Sequence, residues 1–243
     1  MTQLQKMLIQ HEGVELAGEI AIPETPGPHP AVMVMHTAHG LGELMRNKVQ
    51  ALSQLGYVAV ATDMYGGGQY GVQAGGQFMM DLAKAPQRLR ARAAAWHEQL
   101  KARTEVDAQR TAAIGFCFGG MCVLELARSG ADLKAVVSYH GLLTTTLPAR
   151  AGAIKGQVAI YTGAKDPYAP IEQVEALRQE FAAAGARFQI TTFSDAYHAF
   201  TDPHAGDMNR PGIAYDALAD KVSWAGTLAL LETTLRVNRQ VSA

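Results

Sequence analysis

Apolar positions along the chain fall into two rhythms: short, near-continuous apolar runs alternate with longer stretches in which apolar residues recur every three or four positions. A run of strand length without polar interruption reads as a parallel strand covered on both faces, and the second rhythm reads as an amphipathic helix. Ala31–His36, Tyr57–Asp63, Leu133–Tyr139, Gly156–Thr162 and Arg187–Phe193 are accordingly predicted strands. Leu8–Gln10 and Val14–Ile22 add two more around a turn at Glu12-Gly13, closed by the Pro-rich stretch from Pro23 to Pro30. Helices are predicted over Leu44–Leu55 with a stop at Gly56, from about Pro86 to Arg103, over Ile171–Ala184 with a stop at Gly185, and over Pro211–Leu235. Met64–Gly76 holds six glycines among thirteen residues and reads as a long irregular segment of the kind that shapes a binding site. This alternation predicts an α/β fold with a mostly parallel central sheet, helices on both faces and a site at the strands' carboxyl ends. With no repeat or low-complexity linker, residues 1–243 are expected to form one domain.

One stretch organises the rest. Thr111-Ala-Ala-Ile-Gly115-Phe-Cys117-Phe-Gly119-Gly120 joins a strand-like run to the helix-like run from Met121 to Arg128, with glycines around Cys117. A strand-to-helix turn that tight strains the nucleophile's backbone and leaves room only for glycine beside it, which is the layout of a nucleophile elbow. The helix starting behind Cys117 directs free N–H groups and a positive dipole end at the sulfur, favouring thiolate, and makes the N–H of Phe118 half of an oxyanion hole. Cys122 falls inside the helix without a glycine turn and reads as packing.

A thiol nucleophile needs a base and a group that orients the base. Asp166 follows the strand ending at Thr162, and His198 follows the strand ending at Phe193. The order nucleophile, acid, histidine is that of the α/β-hydrolases. Asp195, three residues before His198, competes with Asp166. It is the poorer candidate, because a residue that close in sequence rarely reaches the ring nitrogen facing away from the nucleophile. His36, His39 and His140 also fall at strand ends and are expected to line the pocket or hydrogen-bond its loops, with Asp202 and His204 in a similar part on the His198 loop. The pair His36 and His39 lacks the helical spacing of a zinc motif, so no metal is expected.

Composition narrows the classes. A formal net charge of -1 over 243 residues points away from nucleic acid, and no run reaches the length of a membrane span. The N-terminal residues lack the layout of a signal peptide, and two cysteines five residues apart form no disulfide framework. A cytoplasmic protein is expected, monomeric or homodimeric, acting on a small molecule.

Gly115-Phe-Cys117-Phe-Gly-Gly120, Gly163-Ala-Lys-Asp166-Pro and Ala196-Tyr-His198-Ala-Phe, with Gly56-Tyr-Val-Ala-Val-Ala-Thr-Asp-Met-Tyr-Gly66 upstream, together resemble the dienelactone hydrolase family over about Pro30 to His198. The resemblance implies an α/β-hydrolase fold without a large lid domain and a triad of Cys117, Asp166 and His198. It also implies an oxyanion hole from the N–H groups of Phe118 and Ala38, and hydrolysis of an ester or lactone of the carboxymethylenebutenolidase class through a thioester, without a cofactor. Thr37, His39, Tyr65, His140 and Phe200 are the candidate substrate contacts. Two positions depart from the family's best-studied branch. Thr37 stands where a glutamate pairs with the resting thiol, and Asp202 where an arginine binds the substrate carboxylate. Dienelactone itself is therefore expected to be a poor substrate, and the thiol is expected to be reactive at rest. The alternatives are a non-catalytic ligand-binding or scaffold relative, which Thr37 and Asp202 allow, and a glutamine amidotransferase. The latter would place a glutamate where this chain has Phe200.

Overall fold

The structure is a computed structural model describing residues 3–66 and 72–235. Its strands are β1 (Gln5–His11), β2 (Val14–Ala21), β3 (His29–Met35), β4 (Val58–Thr62), β5 (Val106–Phe116), β6 (Ala135–Tyr139), β7 (Gln157–Gly163) and β8 (Arg187–Phe193). The helices are α1 (Glu43–Gln54), α2 (Val72–Ala83), α3 (Pro86–Lys101), α4 (Phe118–Arg128), α5 (Ile171–Ala183) and α6 (Ala217–Leu235). The strands form one sheet in the order β1-β2-β4-β3-β5-β6-β7-β8. β1 and β2 are antiparallel to their neighbours, and every pair from β4 to β8 is parallel.

The apolar runs are continuous because each face of the sheet is covered. In β3, Met33 and Met35 belong to the core that α3, α4 and α5 share on one face, whereas Val32 and Val34 belong to the core that α1 and α6 share on the other. Successive side chains of a strand point to opposite faces, so a run that buries all of them needs helices on both.

Two differences from the expectation bear on the site. The Met64–Gly76 segment is not irregular throughout, since α2 begins at Val72; residues 67–71 lie outside the described residues. A Cβ on Gly75 would meet the carbonyl oxygen of Ala38 at 2.1 Å, so this glycine lets a helix backbone approach the loop after β3 and does not mark a break. The closing helix starts at Ala217, not Pro211. Residues ahead of it return to pair with the His198 backbone, and Asp216 Oδ1 then accepts the N–H groups of Leu218 and Ala219 to open the helix.

Candidate active site

Cys117 stands between β5 and α4 with φ 55° and ψ −116°, a region that a non-glycine residue occupies only under constraint. The constraint is visible around it. A Cβ on Gly115 would lie 2.0 Å from the Gly119 carbonyl oxygen, and one on Gly119 would lie 2.1 Å from that of Met35. Both glycines are needed for the backbone to fold back on itself and on β3. The Cys117 N–H donates to Tyr139 O at 3.0 Å, which ties the turn to the end of β6.

His198 comes from the loop after β8. Its Nδ1 lies 2.9 Å from Asp166 Oδ2, and the other carboxylate oxygen, Oδ1, accepts the Tyr168 N–H at 2.8 Å. Asp195 points elsewhere: it is exposed and pairs with Lys165 Nζ at 2.7 Å. The His198 backbone is held by the segment just ahead of α6, within the predicted helix Pro211–Leu235 but not helical. Its N–H donates to Gly212 O at 3.0 Å, and its carbonyl accepts the Ala214 N–H at 3.1 Å.

Burial alone would push the Cys117 thiol up. The charge and hydrogen bond of His198, with the N–H groups of Ala38 and Phe118, outweigh it and hold the thiol below its ordinary value. Burial likewise disfavours a charged His198, yet the Cys117 thiolate and the Asp166 hydrogen bond raise it to about 10. Both shifts run in the direction that favours a thiolate beside a charged imidazole. Cys122 is the opposite case, its thiol pushed far up by burial, Glu125 and Cys117. Iodoacetamide should therefore alkylate Cys117 in the free protein well below pH 8.5, about the ordinary cysteine midpoint, with Cys122 inert. Thr37→Glu, which would set a carboxylate beside the pair, should move the profile to higher pH; identical profiles would show that residue 37 does not sense the sulfur.

The pocket above Cys117 encloses about 200 Å³ and is lined by Thr37, Ala38, His39, His140 and His198 among the sequence candidates. Tyr65 and Phe200 are not on its wall. The Tyr65 hydroxyl donates to Ala38 O at 3.2 Å and its ring stacks on Phe118, so it braces the loop that presents the Ala38 N–H. Phe200 is fully buried behind His140. His36 is likewise structural: Nδ1–H donates to Thr37 O at 2.6 Å, and Nε2 accepts the Met64 N–H at 3.0 Å, joining the ends of β3 and β4. His204 lies exposed, 3.3 Å from Asp207.

Leu44, Met79, Leu142, Tyr168, Met208, Arg210 and Ile213 also line the pocket, and nothing in the local sequence marked them. Arg210 alters one expectation. Asp202 is on the wall, but a guanidinium is there too, and both act on His39, which burial and Arg210 push down and Asp202 pushes up. The electrostatic ground for excluding an anionic substrate is therefore weakened. None of the arginines from Arg88 to Arg92 supplies that cation. Arg88 pairs with Glu12, Arg90 with Glu125, and Arg92 donates to Met64 O.

A cysteine at a strained strand-to-helix turn, followed along the chain by an aspartate and a histidine after later strands of an eight-stranded sheet, defines an α/β-hydrolase. The family profile described as "Dienelactone hydrolase family" matches residues 16–235, and the chain belongs to that family. With it, the protein is a hydrolase of small esters or lactones. The solved structure named m3DLH is 36% identical, covers 97% of this chain and 99% of its own, and superposes with a TM-score of 0.92. The dienelactone hydrolase-like promiscuous phosphotriesterase P91, from metagenomic libraries, is 35% identical with a TM-score of 0.91, over 97% of this chain and 99% of its own. A Yersinia pestis protein provisionally named carboxymethylenebutenolidase is 30% identical over 204 residues, 79% of this chain and 76% of its own. Among the described residues no helix is long and apolar enough to cross a membrane, and no group of three or more His, Cys, Asp and Glu could hold a metal ion.

Proposed function

We propose that the protein cleaves its ester or lactone through an acyl-thioester on Cys117. The observation that carries this is the chain from Asp166 to His198, 2.9 Å between Oδ2 and Nδ1, ending on a thiol whose sulfur is also reached by the N–H groups of Ala38 and Phe118. With Nδ1 engaged by Asp166, Nε2 is the ring nitrogen available to the sulfur. The thiolate attacks the carbonyl carbon, and the resulting oxyanion is stabilised by the N–H groups of Phe118 and Ala38. The C–O bond breaks, and the alkoxide takes the proton from Nε2 of the imidazolium. In a lactone that alkoxide stays attached to the acyl group as its own hydroxyl. Water then gives a proton back to Nε2 and attacks the thioester. The acid leaves, and the thiolate–imidazolium pair is restored. Asp166 stabilises the charged imidazole throughout and fixes its orientation.

Mixing the protein with a short-chain nitrophenyl ester should release nitrophenol in a burst of one equivalent, with the acyl mass on the peptide holding Cys117. A scaffold relative would give no burst, and an acyl group on another residue would place the nucleophile elsewhere. An amidotransferase is disfavoured by Phe200, which is buried where a glutamate would be needed. Because P91 is named a phosphotriesterase, a nitrophenyl phosphotriester is the second electrophile to try.

A further inference from the structure

His140 is not accounted for by this mechanism. It follows Tyr139 at the end of β6, the residue whose carbonyl accepts the Cys117 N–H, and its own N–H donates to Tyr161 O at 2.8 Å. Its φ is 36°, and the non-glycine residues with positive φ also include Cys117 and Ala199, the neighbour of His198. Three strained positions therefore converge on one site, as expected where the surrounding structure overrides local preference.

The ring is buried, with Nε2 lying 2.8 Å from Thr201 Oγ1, on the same loop as His198. It meets the His198 ring edge-on at 5.1 Å between centroids and 69° between planes, and is backed by Phe200 at 5.0 Å. Among the described residues Nδ1 has no hydrogen-bond partner. A buried polar atom left unpaired is costly, and packing alone would be served by a side chain that carries none. An imidazole here therefore needs a reason beyond packing. Burial and the neighbouring His198 charge both hold it neutral, so it does not compete for the proton that His198 carries.

We infer that His140 is a positioning residue: with Thr201 it forms a link that couples the end of β6, where the backbone of Cys117 is anchored, to the loop that carries His198, and its ring, edge-on to that of His198, holds the latter in line with the sulfur. This rests on the reading of Cys117 and His198 as the reacting pair. The groups facing His198 are Cys117 from the turn before α4, Asp166 and Tyr168 from the loop after β7, and His140 from just after β6; His39, Asp202 and Arg210 are the other titratable or charged residues of the pocket wall.

The test uses Thr201→Val, His140→Phe and His140→Gln, with ester kinetics and the pH profile of Cys117 alkylation by iodoacetamide. Thr201→Val removes only the link and keeps the shape. It should lower kcat about tenfold or more with KM within about twofold, the pattern of a misaligned reacting group, and should move the alkylation midpoint up by about one pH unit. His140→Phe should do the same or more, and His140→Gln, which can still reach Thr201, should recover part of both. A thermal melt accompanies each variant. A normal alkylation profile in Thr201→Val sinks the inference even if kcat or the melting temperature falls, because a merely structural contact would not retune the pair. If His140→Phe does not fold, Thr201→Val alone decides. If the unmodified protein itself alkylates with an ordinary cysteine midpoint, it is the reacting pair that fails, and the two failures are told apart.

Discussion

Cys117→Ala is expected to abolish ester turnover, by a factor of roughly 10⁴ or more, while the protein still folds and binds substrate analogues. The size follows from the chemistry: without the sulfur no covalent intermediate can form, and only binding and the N–H groups of Phe118 and Ala38 remain to assist water. The fold should survive because alanine tolerates the backbone at position 117, φ 55°, about as well as cysteine does, and because the lost atom borders a pocket and leaves no closed cavity. Cys122→Ala is the internal control. That thiol is fully buried in α4 and held as a neutral thiol, so the variant should lose some stability and keep its turnover. Steady-state rates on a nitrophenyl ester, with circular dichroism of each variant, decide it. An active Cys117→Ala protein would remove the nucleophile assignment outright.

Asp166→Asn should lower kcat by about 10⁴-fold, close to the loss of the nucleophile itself. Its Oδ1 accepts the Tyr168 N–H at 2.8 Å and its Oδ2 faces His198 Nδ1 at 2.9 Å. In an asparagine the amide oxygen is drawn to the Tyr168 N–H, so the NH₂ group turns to Nδ1. A donor there forces the tautomer with its proton on Nε2, the wrong one to accept a proton from thiol or water, and no negative charge remains to stabilise the imidazolium. Asp195→Asn changes an exposed pair with Lys165 and an exposed hydrogen bond from Ser194 Oγ, and should leave kcat within about twofold, as surface ion pairs contribute little. The opposite ranking in kcat would transfer the orienting role to Asp195.

Much of this was legible along the chain because the signals are local. A strand covered on both faces must be apolar throughout, so β3, β4, β6 and β7 announce themselves. A glycine on each side of a nucleophile is a steric demand of one turn, so Gly115 and Gly119 mark Cys117 before any fold is known. The order of Cys117, Asp166 and His198, each just past a strand, carries the rest. The misreadings had a common origin in glycines and helix formers whose conformation is set by distant partners. Gly75 lies in α2 against Ala38 O, and Gly212 accepts the His198 N–H five residues ahead of α6.

By itself the sequence determined the α/β alternation, the elbow, the family likeness and the chain order of the candidate triad, since periodicity, turn sterics and residue order are properties of neighbours in the chain. Proximity in sequence already favoured Asp166 over Asp195, but only the tertiary structure decided that Asp166 meets His198 Nδ1, that Tyr65 and Phe200 stand behind the pocket wall, that Arg210 joins Asp202 on it, and that His140 reaches Thr201. Each of those choices depends on where two loops, brought together by non-adjacent strands, end up pointing. That direction is set by packing across the whole sheet, to which no single segment holds the information.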